Sequence, residues 1–155
     1  MARGSSIIIA VLAACAAATV GMGAAAAATQ VPFTITETNI QFFPDYDTGE
    51  FTTTGPLCPS GTFLDTYRAL AGIQGQHFQH PVVNVSVDTV YTCADGSGTF
   101  FMLKHVRLVA TPPGIDNTGP VSLKGGTGAY VGLTGYGVDN GINGDGHIAG
   151  NIVQP

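Results

Sequence analysis

The chain has 155 residues, 45% hydrophobic and only 10% charged, with a formal net charge of −5; average chains carry about 25% charged residues. Its five Lys and Arg are scattered, so there is no basic stripe to displace the counterions of a nucleic acid and no basic helix to settle on a membrane surface. The length suits one domain.

Much of the apolar excess lies in the first 28 residues. Arg3 supplies a positive start, residues 7–20 form an uncharged apolar run, and residues 21–28 are small, ending Ala26-Ala27-Ala28. Signal peptidase accepts small side chains at the −3 and −1 positions, so this reads as a signal peptide cleaved after Ala28. Residues 29–155 are then a single secreted domain with no stable membrane insertion once the leader is removed. Residues 7–28 are long enough to span a bilayer, but they are mostly Ala and Gly and end like a cleavage site. A second alternative is a lipid anchor at Cys15, since Leu12-Ala13-Ala14-Cys15 matches the small-residue pattern before a lipidated Cys. The apolar run ahead of Cys15 would be only about eight residues, near the lower limit.

Without the leader, Cys58 and Cys93 remain. An even count in an oxidising compartment predicts a disulfide between them, closing a loop of roughly 35 residues and contributing on the order of 2–4 kcal/mol. There is no C-x-x-C and no basic neighbour to lower a thiol pKa, which argues against a redox role.

No 12-residue window has a helical period, and Gly, Pro, Thr and Val disfavour helix. Residues 31–38 alternate and open the domain. Residues 42–49 read as turn-rich, 51–54 as a short strand and 61–70 as a longer one. Residues 82–93 give the clearest strand: Val83, Val85, Val87, Tyr91 and Cys93 share one face, and Asn84, Ser86 and Asp88 the other. Asp95-Gly96-Ser97-Gly98 predicts a tight turn into a second long strand over 99–109, ended by Thr111-Pro112-Pro113-Gly114. Residues 121–124 read as a short strand. Residues 125–150 contain ten Gly, and 147–153 reads as the closing strand. The expected fold is all-β: a small antiparallel barrel of about eight strands, with a β-sandwich as the alternative. Pairing first and last strands would remove exposed edges, which favours the barrel.

The segment Gly125-Gly126-Thr127-Gly128-Ala129-Tyr130-Val131-Gly132-Leu133-Thr134-Gly135-Tyr136-Gly137 resembles a signature of the allene oxide cyclase-like and dirigent-like barrels. There a strand enters a G-G-T-G-x-[YF] turn, followed by small residues and a G-x-G on the next strand. Gly125, Gly126 and Gly128 permit positive φ, and Tyr130 is placed to plug the barrel. The hairpin from Tyr91 to Phe100 also resembles one found in small secreted bacterial barrels of this type. The dirigent-type pattern has an Arg where Thr134 stands, which puts dirigent-like acid and cation chemistry in doubt. In cyclase-type members a carboxylate on strand one holds an ordered water in an apolar cavity, and the resemblance implies Glu37 for that place. Taken by itself, Glu37 reads as a solvated strand-end charge.

Other constellations fall short of a site. His77-x-x-His80, with His105, His147 and Asp65, offers metal-ligand types, but nothing in the sequence gathers the three or four ligands zinc needs; no metal and no cofactor is expected. No G-x-S-x-G surrounds a serine, and Ser97 falls in a turn. Residues 139–146 hold several oxygen-bearing side chains but not the order of a calcium loop. Gly125 to Gly128 is not a phosphate loop, for no Lys and no helix follow. Asn84-Val85-Ser86 is a formal glycosylation sequon inside a predicted strand. The expected function is a secreted barrel that binds a small apolar ligand or acts as an extracellular accessory protein. The alternative is a barrel isomerase or cyclase with Glu37 as acid or base.

Overall fold

The computed structural model describes residues 28–68, 82–111 and 114–154. The segment read as a signal peptide up to residue 27, Cys15 within it, and the His77/His80 pair lie outside the described residues. Eight strands follow in order: β1 (Thr29–Phe42), β2 (Tyr46–Thr54), β3 (Ser60–Arg68), β4 (Val82–Cys93), β5 (Thr99–Thr111), β6 (Gly114–Gly126), β7 (Thr134–Gly141) and β8 (Gly146–Gln154). Each pairs antiparallel with the next, and β1 pairs with β8, giving a closed barrel. The barrel forms, and the sandwich alternative does not. Closure leaves no unpaired edge, and the pairing of first and last strands runs from Thr29↔Gln154 to Glu37↔Gly146.

Alternation decides what faces inward. On β4, Val85, Val87, Thr89, Tyr91 and Cys93 are buried in turn, and on β5 Phe100, Met102, Lys104 and Val106. The predicted hairpin is present, with Val82↔Val109 at one end and Thr92↔Thr99 at the other. Three boundaries differ from the sequence reading. β1 continues to Phe42 because a bulge between Thr38 and Gln41 puts Asn39 at φ 55, which breaks the period-two pattern without ending the strand. The stretch 42–49 is therefore mostly strand, with the turn confined to residues 43–45. β6 spans thirteen residues, far more than 121–124, because its Gly119 and Pro120 pair with Asp139 and Val138 of β7.

The two ends of the barrel are unlike. One gathers the β2–β3, β4–β5 and β6–β7 connections, the start of β1 and the end of β8. There the Cys58–Cys93 disulfide, with Cα atoms 5.9 Å apart, ties the β2–β3 connection to the end of β4. Gly125 and Gly128 adopt φ of 92° and 58°, and the short 3-10 turn Gly128–Tyr130 folds Tyr130 back over the end. Its ring meets Phe100 edge-on at 5.4 Å and its hydroxyl lies 3.2 Å from Ser97 Oγ. Below it Phe51, Tyr91 and Phe100 pack together, with Tyr91 and Phe100 stacked at 4.6 Å. Offset and edge-to-face pairs of this kind add about 0.5–1.5 kcal/mol each beyond burial. This end is a filled core. The other end carries the turns at 43–45 and 142–145, and among the described residues it is open, with no counterpart of the Tyr130 plug.

Candidate functional site: a carboxylate-floored pocket in the open half of the barrel

The aromatic core does not extend to the open end. Beyond it lies a cavity of about 270 Å³, near the lower end of small-molecule pockets at about 300–1,000 Å³. Its walls include Val87, Val106 and Leu108 of β4 and β5, Ile115 of β6, and Ile40, turned inward after the β1 bulge. Phe42 and Phe43 stand at the mouth, with Phe42 61% exposed and Phe43 stacked on Tyr46 at 4.5 Å.

The boundary between core and cavity is polar. β1 supplies Glu37, β2 Asp47, β3 Asp65 and Tyr67, β4 Tyr91, β5 Lys104, β6 Asn117 and β7 Asp139. Among the described residues Lys104 is the one buried cation, its side chain 3% exposed. Its Nζ lies 2.6 Å from Glu37 Oε1 and 3.1 Å from Asp65 Oδ2, with the rings of Phe63 and Tyr91 at 5.6 and 5.8 Å. Tyr91 donates its hydroxyl to the same Glu37 Oε1 at 2.5 Å. Tyr67 donates to Asp47, and Asn117 Nδ2 donates to Asp139 Oδ2 at 3.3 Å. Room for the Glu37 carboxylate comes from Gly146, its register partner on β8, because a Cβ there would collide with Oε2.

Four carboxylates thus share one ammonium, and their energetics follow from that shortage. Burial pushes the Asp139 carboxyl up to about 7 against the pull of Lys104. Burial likewise pushes Asp65 up to about 6, Lys104 again opposing and Glu37 adding to the rise. Asp47 is also raised, by burial, against the hydrogen bond from Tyr67. Burial by itself would lower Lys104, but Asp65, Glu37 and Asp139 outweigh it and hold the ammonium above its ordinary range. Burial and the neighbouring carboxylates keep the hydroxyls of Tyr91 and Tyr67 protonated. Asp47, Asp65 and Asp139 each leave Oδ1 without a hydrogen-bond partner among the described residues, and a buried orphan acceptor costs about 1–3 kcal/mol.

Glu37 is therefore not a solvated strand-end charge: it is 2% exposed and sits at the cavity floor. The sequence reading missed its partners. Lys104 falls in the inward alternation Phe100, Met102, Lys104, Val106, and Asp65 follows Phe63 in the same way; a charge at an inward strand position is the signal that marks both. Asp139 carried no such signal, since its strand neighbours on that face are glycines. Of the candidate metal ligands, the three among the described residues, Asp65, His105 and His147, do not meet. Asp65 points inward, while His105 and His147 lie on the outer surface, beside Ser86 and Thr36. Among the described residues no three His, Cys, Asp or Glu side chains converge as a metal would require. In the 139–146 stretch Asp139 faces the interior and residues 142–145 form the turn. No family model, no curated protein and no solved structure matches this chain.

Proposed function

We propose that the chain is an exported barrel that holds a small, largely apolar molecule in the open half of its interior. The observation that carries this is the cavity itself: apolar walls over a floor with three buried carboxylate oxygens that lack donors. Apolar walls with a few placed polar groups are the usual make-up of a small-molecule site. Export agrees with the leader-like sequence and with the Cys58–Cys93 bridge, a bond that persists in oxidising compartments.

The test is native mass spectrometry of protein from its own host beside a Leu108→Trp variant, whose indole fills the pocket. Removable adducts on the parent and none on the variant are expected, as is binding of the neutral dye Nile red to the parent alone. A parent that is reproducibly empty and does not take up the dye overturns the reading.

A second reading is an isomerase or cyclase, favoured by the position of Glu37 on the floor and by the resemblance to the cyclase-type barrels. Glu37 Oε1 is already bound to Lys104 and Tyr91. Asp139, half-protonated near pH 7, is the better proton donor in the same pocket. A holding role, unlike catalysis by Glu37, requires no group on the floor to give up the partners it already has.

A further inference from the structure

The charge on the pocket floor narrows what fits there. Lys104 is engaged by Glu37 and Asp65, at 2.6 and 3.1 Å, so it is not free to receive an anion. Asp47 and Asp139 have no cation of their own among the described residues. Their Oδ1 atoms are unpartnered on residues 4% and 0% exposed that line the cavity. A neutral hydroxyl brings one donor to such a floor. A protonated amine brings three on one small centre, and it is also attracted by the carboxylates it does not touch.

We infer that the molecule held here is an organic cation: an apolar body reaching toward Phe42 and Phe43, with a protonated amine on the acidic floor, hydrogen-bonded to the orphan oxygen of Asp47 or of Asp139 and attracted by the remaining carboxylates. This rests on the reading of the open half as a small-molecule pocket and names its ligand class. A metal ion is a poorer occupant, because it needs three or more ligands on one point and no such group forms among the described residues, whereas an ammonium needs one direct acceptor and draws the rest of its attraction at longer range.

Among the described residues the charges facing the seat come from Glu37, Asp47, Asp65, Lys104 and Asp139, while the Tyr67 and Tyr91 hydroxyls stay neutral and β6 and β8 present Asn117 and Gly146. With Lys104 charged throughout, the floor becomes more negative as pH rises through the Asp65 and Asp139 transitions, near 6 and 7. Amine binding therefore tightens from pH 5 to pH 8 and releases protons.

Titration calorimetry with 2-phenylethylamine, 2-phenylethanol and 3-phenylpropanoate separates the possibilities, since the three share one apolar body. At pH 8 the amine, protonated at both pH values, is expected to bind at least tenfold tighter than the alcohol, and the carboxylate not at all. At pH 5 the preference is expected to fall below threefold. Asp139→Asn, and independently Asp47→Asn, should each lower the pH 8 preference several-fold while the protein remains folded. Alcohol binding as tightly as amine at pH 8, or the carboxylate binding best, overturns the cation and leaves the pocket reading standing. An amine preference that does not change with pH, or that survives both variants, overturns the seat. Binding of none of the three overturns the pocket reading as well.

Discussion

Lys104→Met tests whether the interior depends on its single buried ammonium. Met matches the length of Lys, so packing is nearly conserved and the change is mainly one of charge. Glu37 and Asp65 lose a partner at 2.6 and 3.1 Å, and Asp139 loses the attraction that partly offsets its burial. Removing one member of a buried pair costs about 3–5 kcal/mol, a large share of the roughly 5–15 kcal/mol that holds a domain together. At this size that corresponds to a fall in Tm of roughly 10–20 °C. The sign with pH follows from proton counting. Without Lys104 the buried carboxyls are raised further, so the folded state binds more protons than the unfolded chain from about pH 4 upward, and the variant loses stability as pH rises. Differential scanning fluorimetry from pH 5 to pH 8 should show the deficit greatest at pH 8 and smaller at pH 5. Glu37→Gln added to Lys104→Met should restore part of it, because one uncompensated charge leaves with its partner. A Lys104→Met protein as stable as the parent at pH 8, or one equally weakened at both ends of the range, would refute an electrostatic role.

Asp139→Asn removes a carboxyl whose folded value, about 7, stands above the unfolded 3.8; such a group lowers stability as pH rises between those values, by roughly 4 kcal/mol at most once ionised. The variant should gain up to a few kcal/mol over the parent at pH 8 and almost nothing at pH 4, measured by urea unfolding. Gly146→Ala places a methyl group against the Glu37 carboxylate and should lower Tm, whereas Gly146→Ala with Glu37→Gly should recover part of the loss. Replacing Cys58 and Cys93 together with Ser opens a 35-residue loop and should cost about 2–4 kcal/mol in guanidinium unfolding, with no effect of reductant on the variant.

Period-two alternation is a local property, and where it was intact the chain could be read directly. The β4–β5 hairpin, with Val85, Val87 and Tyr91 inward, was legible because successive strand side chains must point to opposite faces. The disulfide followed from the even pair of cysteines left once the leader-like segment is set aside, and the Tyr130 plug from glycines able to take positive φ. The bulge at Asn39 hid the rest of β1, since one extra residue shifts the inward set from Glu37 to Ile40 and breaks the pattern that identifies a strand.

The amino-acid sequence by itself determined that this chain makes strands and which residues of its clearest strands turn inward; it favoured a barrel over a sandwich, and the pairing of β1 with β8 decided it. Only the tertiary structure decided that Lys104 meets a glutamate 67 residues away and that Asp139, in a stretch legible only as glycine-rich, joins them. The reason is physical: alternation assigns a side chain to a face, but the stagger of eight paired strands around a barrel sets its height inside. Height alone separates a packed aromatic core from an acidic floor beneath an open cavity.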